Sequence, residues 1–94
     1  MNQPHALSDP GRINFRLLHY FRVVAEEMNF TQAARRLNMS QPPLSKHIKE
    51  LESQLGVVLF KRTTRSMTLT PAGRTLLRNV ERLLDQADSA LHQV

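Results

Sequence analysis

Two consecutive prolines, Pro42 and Pro43, stand directly ahead of an apolar stripe, Leu44, Ile48, Leu51 and Leu55, spaced by four, three and four residues. That spacing marks one face of a helix. Proline fits a helix only in its first turn, where the backbone N–H has no partner inside the helix. The helix therefore begins at Ser40 or Gln41, one of which caps it, and Gly56 ends it as a left-handed residue. Once the start is fixed, so is the outward face: Gln41, Pro42, Ser45, Lys46, Lys49 and Ser53. That face is short and runs from uncharged to basic, with Glu50 and Glu52 set back toward the C-terminal half.

The flanking sequence supplies further elements. From Asn14, a plausible N-cap, to Glu27, the residues Leu18, Phe21, Val24 and Ala25 recur at helical spacing, with Phe15 and Leu17 alongside. Met28-Asn29 breaks that helix. Thr31 is then expected to cap a short second one, with Ala33, Ala34 and Leu37 inward and Arg35 and Arg36 outward. Small alanines let another helix approach closely, and Asn38 tolerates the left-handed backbone of the turn that follows. Residues 57–62 and 66–70 flank a polar turn, Thr63-Thr64-Arg65, and read as a two-stranded hairpin. Thr70 caps a last helix with Pro71 at its first position. Its apolar residues Leu76, Val80, Leu83, Ala87, Ala90 and Val94 alternate by four and three, and Leu77, Leu84 and Leu91 add a seam at sevens. Residues 1–13, with two prolines, a glycine and little apolar content, read as a disordered arm. The expected organisation is thus an arm, a mainly α winged helix-turn-helix over 14–70, and a long dimerisation helix over 71–94.

A short alanine-bearing helix turning into a second, proline-fronted one describes a helix-turn-helix, whose second helix enters the major groove of DNA by its N-terminal end. There the chemistry suits base edges. Glutamine pairs bidentately with adenine, lysine reaches guanine O6 and N7, serine serves either partner, and proline carbon can rest on a thymine methyl. Lys61, Arg62 and Arg65 cluster around the hairpin turn, as a wing does that enters the adjacent minor groove or clamps phosphates. Arg35, Arg36 and the start of the second helix at Thr31 and Gln32 suit phosphate contacts. The net charge of +5 is concentrated here. Residues 31–74 carry Arg35, Arg36, Lys46, Lys49, Lys61, Arg62, Arg65 and Arg74 against only Glu50 and Glu52, while the segments on either side are close to neutral. A symmetric dimer through Leu76, Leu77, Val80, Leu83, Leu84, Ala87 and Leu91 would double the bases read.

Other classes are less well supported. There is no cysteine, and the four histidines show no metal-ligand spacing, so neither a metal nor another cofactor is expected. No apolar run reaches the ~20 residues of a membrane span. The polar face of the last helix carries no net positive charge for a membrane surface. Ser45 and His47 lie close in sequence but diverge by about 200° around a helix, and no acid is expected to orient the histidine, so catalysis is not expected. A protein-interaction module remains open, because the leucine seam could receive a partner helix. Strong salt dependence of duplex binding would separate the two.

The pieces F-x-x-V-A-E-E, N-F-T-Q-A-A-R-R-L-N-M-S-Q-P-P-L-S-K-H-I-K-E-L-E-x-x-L-G-x-x-L-F-K-R and L-T-P-A-G, in that order and spacing, resemble the N-terminal domain of LysR-type transcriptional regulators. The resemblance covers residues 15 to about 90. It implies a winged helix-turn-helix with Gln41, Pro42, Pro43, Ser45 and Lys46 reading bases, Thr31 and Gln32 on the backbone, and Arg62 and Arg65 in the wing. Many relatives carry arginine where Lys46 stands; lysine offers a point charge rather than a fork. The resemblance further implies a linker helix that pairs in a homodimer, and tetramers in full-length proteins. It also implies a small-molecule effector sensed by a separate C-terminal domain, so that this chain is expected to be a truncated form, or else a natural short form, lacking the sensing part. The expected location is the bacterial cytoplasm, at the nucleoid.

Overall fold

Four helices and one hairpin follow in the order α1 (Phe15–Glu27), α2 (Phe30–Arg36), α3 (Gln41–Leu55), β1 (Phe60–Arg62), β2 (Met67–Leu69) and α4 (Pro71–His92) in a computed structural model. The structure describes residues 14–93, so the arm expected over 1–13 and the apolar position at Val94 lie outside the described residues. The architecture is the expected winged helix-turn-helix with a long terminal helix.

α1 is the hub, packing against α2, α3 and α4. This explains why its burial exceeds a single stripe: Val23 is enclosed as fully as Phe21 and Val24, although it lies off the face that periodicity selects. Phe15, by contrast, is mostly exposed. Leu44, Ile48 and Leu51 of α3 point into this core, whereas Leu55 falls at its rim beside exposed Val57 and Val58. At the N-terminus of α1, Asn14 Oδ1 accepts the Leu17 N–H at 3.0 Å.

α2 starts earlier than expected. Its N-cap is Asn29, whose Oδ1 accepts the Gln32 N–H at 2.9 Å, and not Thr31. Both residues are good caps, and core packing decides between them. Starting at Phe30 places that ring in the first turn, where it is buried edge-on against Phe60 with centroids 6.2 Å apart. Asn29→Ala is therefore expected to cost about 0.5–2 kcal/mol while Thr31→Ala costs much less, a difference readable as a shift in thermal midpoint. α2 ends in a Schellman arrangement: Asn38, at φ 55°, donates to Arg35 O, and Met39 donates to Ala34 O.

Ser40 occupies the N-cap of α3 but makes no capping hydrogen bond. A cap oxygen accepts from the second or third N–H of its helix, and those positions are Pro42 and Pro43, which have none.

The strands are shorter than the expected 57–62 and 66–70. They pair antiparallel as Phe60↔Leu69, Lys61↔Thr68 and Arg62↔Met67. The turn is held by the Thr63 hydroxyl oxygen, which accepts the Ser66 and Arg65 N–H groups at 3.0 and 3.2 Å. The hairpin base is tied to α3 by Glu52, whose Oε2 accepts the Leu59 N–H at 2.7 Å and the Phe60 N–H at 3.3 Å.

Thr70 joins wing to terminal helix. Its hydroxyl donates to Val58 O at 2.6 Å and accepts the Gly73 N–H at 3.0 Å, capping α4. Gly73 is buried against the wing: a Cβ there would overlap the Leu59 carbonyl and lie 2.8 Å from Leu69 Cδ2. This close approach accounts for the glycine of L-T-P-A-G.

The heptad residues of α4 are used differently from expectation. Val80 is 2% exposed, and Leu76, Leu77, Leu83 and Leu84 are packed against the same core. α4 packs chiefly on α1 of the same chain, and Val80, buried there, is not available to a second chain. A heptad pattern records that a helix has an apolar neighbour but not whose it is. Toward the C-terminus Ala87 is half-buried and Leu91 is 75% exposed.

Candidate nucleic-acid interface

The start of α3 is presented as its sequence requires. With Leu44 and Ile48 inward, Pro42, Pro43, Lys46 and Lys49 are exposed and Gln41 and Ser45 half-buried. The two prolines leave this tip poor in N–H donors and rich in carbon, a surface suited to base edges and methyl groups. The Ser40 hydroxyl, free of any cap duty, adds an exposed polar group that the sequence reading assigned only to capping.

Thr31, Gln32 and Arg35 lie exposed on α2. The Gln32 backbone N–H is spent on Asn29, leaving its side chain as the free donor. Arg36 departs from expectation. Its Nη1 bridges Glu26 Oε1 at 2.9 Å and Glu27 Oε2 at 3.0 Å, clamping α2 to the end of α1. Those hydrogen bonds, Glu27 first and then Glu26, raise its pKa above the ordinary value. This arginine spends one nitrogen on an exposed link between helices, and the sequence could have signalled it only through the Glu26-Glu27 pair.

The basic residues expected at the wing are all exposed along the hairpin. Lys61 and Arg62 are on β1, and Arg65 is in the turn. The Arg62 guanidinium carbon sits 4.6 Å from the centroid of the Phe30 ring, drawing it to the hairpin base. Phe30 and Glu52, which set the position of the wing against α2 and α3, were not singled out in the sequence as site residues. An aromatic residue directly after the Asn29 cap, at the head of the basic α2, was the available signal.

Two groups away from this face complete the electrostatics. His19 on α1 has its pKa lowered, first by partial burial and then by Arg22 and Arg36, with Glu26 opposing. His47 does have an acid beside it, contrary to expectation: Glu50 Oε1 lies 3.0 Å from its Nδ1, one turn on along α3. Its ring also packs on Tyr20, while Ser45 lines a cleft with Phe30 and Arg62 on another side of the helix. The serine and the histidine are not brought together. Among the described residues no helix is long and apolar enough to cross a membrane, and no group of three or more His, Cys, Asp or Glu could hold a metal ion.

The sequence profile described as bacterial regulatory helix-turn-helix protein, lysR family, matches residues 15–74. The chain belongs to the LysR family. Among its relatives is the HTH-type transcriptional regulator XapR of Escherichia coli (strain K12), 55% identical over 83 residues, which cover 88% of this chain and 28% of XapR. ClcR of Pseudomonas putida is 56% identical over 72 residues, 77% of this chain and 24% of ClcR. The chain thus spans roughly a quarter of the length of these regulators. Similar solved structures include the CbnR_DBD–DNA complex, with TM-score 0.81 and 42% identity over 86% of this chain and 93% of that one. The BenM_DBD/catB site 1 DNA complex has TM-score 0.83 and 38% identity over 86% and 91%.

Proposed function

We propose that this chain is a sequence-specific, double-stranded DNA-binding unit of a LysR-type transcriptional regulator. α3 enters the major groove at Gln41, and the wing meets the adjacent minor groove. The observation that carries this reading is the exposed, donor-poor tip of α3 within a fold that closely matches two DNA-binding domains solved with DNA. Gln41, Pro42, Pro43, Ser45, Lys46 and Lys49 read bases. Thr31, Gln32 and Arg35 hold the backbone, and Lys61, Arg62 and Arg65 act from the wing. Arg36 stands behind Arg35 in this role, because its Nη1 is held by Glu26 and Glu27 while Nη2 and Nε take no part in that bridge. The role is one of binding rather than catalysis, in keeping with relatives named as transcriptional regulators.

A homodimer through α4 completes this reading, since one short helix reads few base pairs and a two-fold pair sets the half-site spacing. The residues left for that contact are Leu91, Ala87 and the outer edges of the half-buried leucines. Response to a small-molecule effector belongs to the remainder of a full-length regulator, as do tetramers, and the place of action is the bacterial cytoplasm.

The test is selection of bound duplexes from a random DNA pool. A two-fold symmetric consensus is expected; absence of enrichment overturns the reading. On the selected duplex, Gln41→Ala is expected to remove about 1–3 kcal/mol of discrimination at one base pair of each half-site. Competition with a duplex altered at that pair measures it, and unchanged discrimination at every position would take Gln41 out of the reading set.

A further inference from the structure

We propose that the cleft between α3 and the wing seats one phosphodiester of bound DNA, and that Phe30 is the positioning residue that holds Arg62 over it. The inference rests on the DNA-binding reading, adds to it a site and a residue, and moves Ser45 and Lys49 from the base-reading set to that site.

The cleft encloses about 180 Å³, with Phe30, Phe60, Ser45, Lys49, Glu52 and Arg62 around it. Ser45 and Lys49 stand one helical turn apart on the same side of α3, so a hydroxyl and an ammonium face the opening together. Arg62 closes the opposite side from β1. Its guanidinium lies over the Phe30 ring at 4.6 Å, and that ring is itself fixed against Phe60. Stacking occupies the flat face of a guanidinium and leaves its in-plane N–H groups free to reach an oxyanion. Among the described residues no carboxylate forms an ion pair with Arg62. The one carboxylate at the cleft, Glu52, has its Oε2 taken by the backbone N–H groups of Leu59 and Phe60. Two cations and a hydroxyl thus meet one committed carboxylate.

The position selects the source of the anion. The cleft lies between the tip of α3 and the hairpin, which the DNA-binding reading puts in neighbouring grooves. The sugar–phosphate strand that separates those grooves has to pass between them. An arginine already held in place loses less freedom on binding than a free surface side chain does.

The experiment measures affinity for the selected duplex against salt for the wild type, Arg62→Gln, Phe30→Leu and the double variant. Arg62→Gln is expected to flatten the slope of log K against log salt by about 0.9, one phosphate contact. Phe30→Leu keeps an apolar side chain but removes the π face, and should weaken binding roughly two- to fivefold, the worth of an exposed cation–π contact. In the Arg62→Gln background Phe30→Leu should add nothing. Arg62→Lys keeps the charge, loses the flat stack and leaves the core untouched. It should reproduce most of the Phe30→Leu effect even where Phe30→Leu proves unstable. In the DNA-free protein the Arg62 side-chain NMR signals should carry a ring-current shift that Phe30→Leu abolishes. Inorganic phosphate at millimolar concentration and matched ionic strength should leave those signals in place.

An additive effect in the double variant, or tighter binding by Phe30→Leu, overturns the positioning role. An unchanged slope for Arg62→Gln overturns the phosphodiester seat, and saturation by inorganic phosphate makes it a free-anion site instead. Failure of the wild type to bind any duplex removes the DNA-binding reading itself, and the ring-current measurement still reports separately on the stacked arginine.

Discussion

Val80→Asp is expected to destabilise the domain severely, with a loss that does not depend on protein concentration. Val80 is 2% exposed on the side of α4 that packs into the core. An unpaired buried carboxylate costs about 3–5 kcal/mol, and the lost valine contacts add to that. A domain of this size has a net stability of roughly 4–12 kcal/mol. The thermal midpoint should fall by about 20 °C or more, read by circular dichroism at two protein concentrations. Leu91→Asp is the companion. With that side chain 75% exposed, the midpoint of the subunit should hold while self-association, read by sedimentation, weakens. A Val80→Asp protein that stays folded with an unshifted midpoint would return Val80 to the subunit interface.

Binding to the selected duplex is expected to weaken by ~10³-fold or more between 50 and 200 mM salt. Each protomer exposes Arg35, Lys46, Lys49, Lys61, Arg62 and Arg65 on or beside the proposed face. If half of these neutralise a phosphate, a dimer makes about six such contacts, and release of counterions from them gives that dependence. Titration by fluorescence anisotropy at four salt concentrations gives the slope. A loss of less than tenfold would mean that the basic residues do not lie along the backbone, and would favour a protein partner for the leucine-bearing helix.

Much of the fold could be read in the sequence because its signals were local. Pro42-Pro43 dated the start of α3, Asn38 and Gly56 marked left-handed stops, and Thr70-Pro71 opened α4. What could not be read was tertiary choice. Asn29 and Thr31 are equivalent as caps until Phe30 needs a place in the core. The Val80 seam is equally apolar whether α1 or another chain covers it. The strands were set too long because Val57 and Val58 have strand-like side chains but stand at the exposed approach to the hairpin rather than in it.

The exposed basic and polar residues of the candidate site followed from helix phase alone. Their engagement did not. Arg35 and Arg36 are exposed neighbours of one type, yet Arg36 bridges two glutamates of α1. Arg62 and Arg65 flank one short turn, yet only Arg62 has an aromatic ring beneath it. His47 and Glu50 were within one turn of each other, and their hydrogen bond could have been anticipated from that spacing.

The missing cap on α3 has a chemical consequence. A helix tip fronted by two imino acids can inspect a base pair by shape and side chain, but it has almost nothing with which to grip an anion. Inspection and grip are thereby delegated to different segments of the chain. Exchange of Gln41 can retune which duplex is preferred without loosening the hold that the rest of the surface supplies.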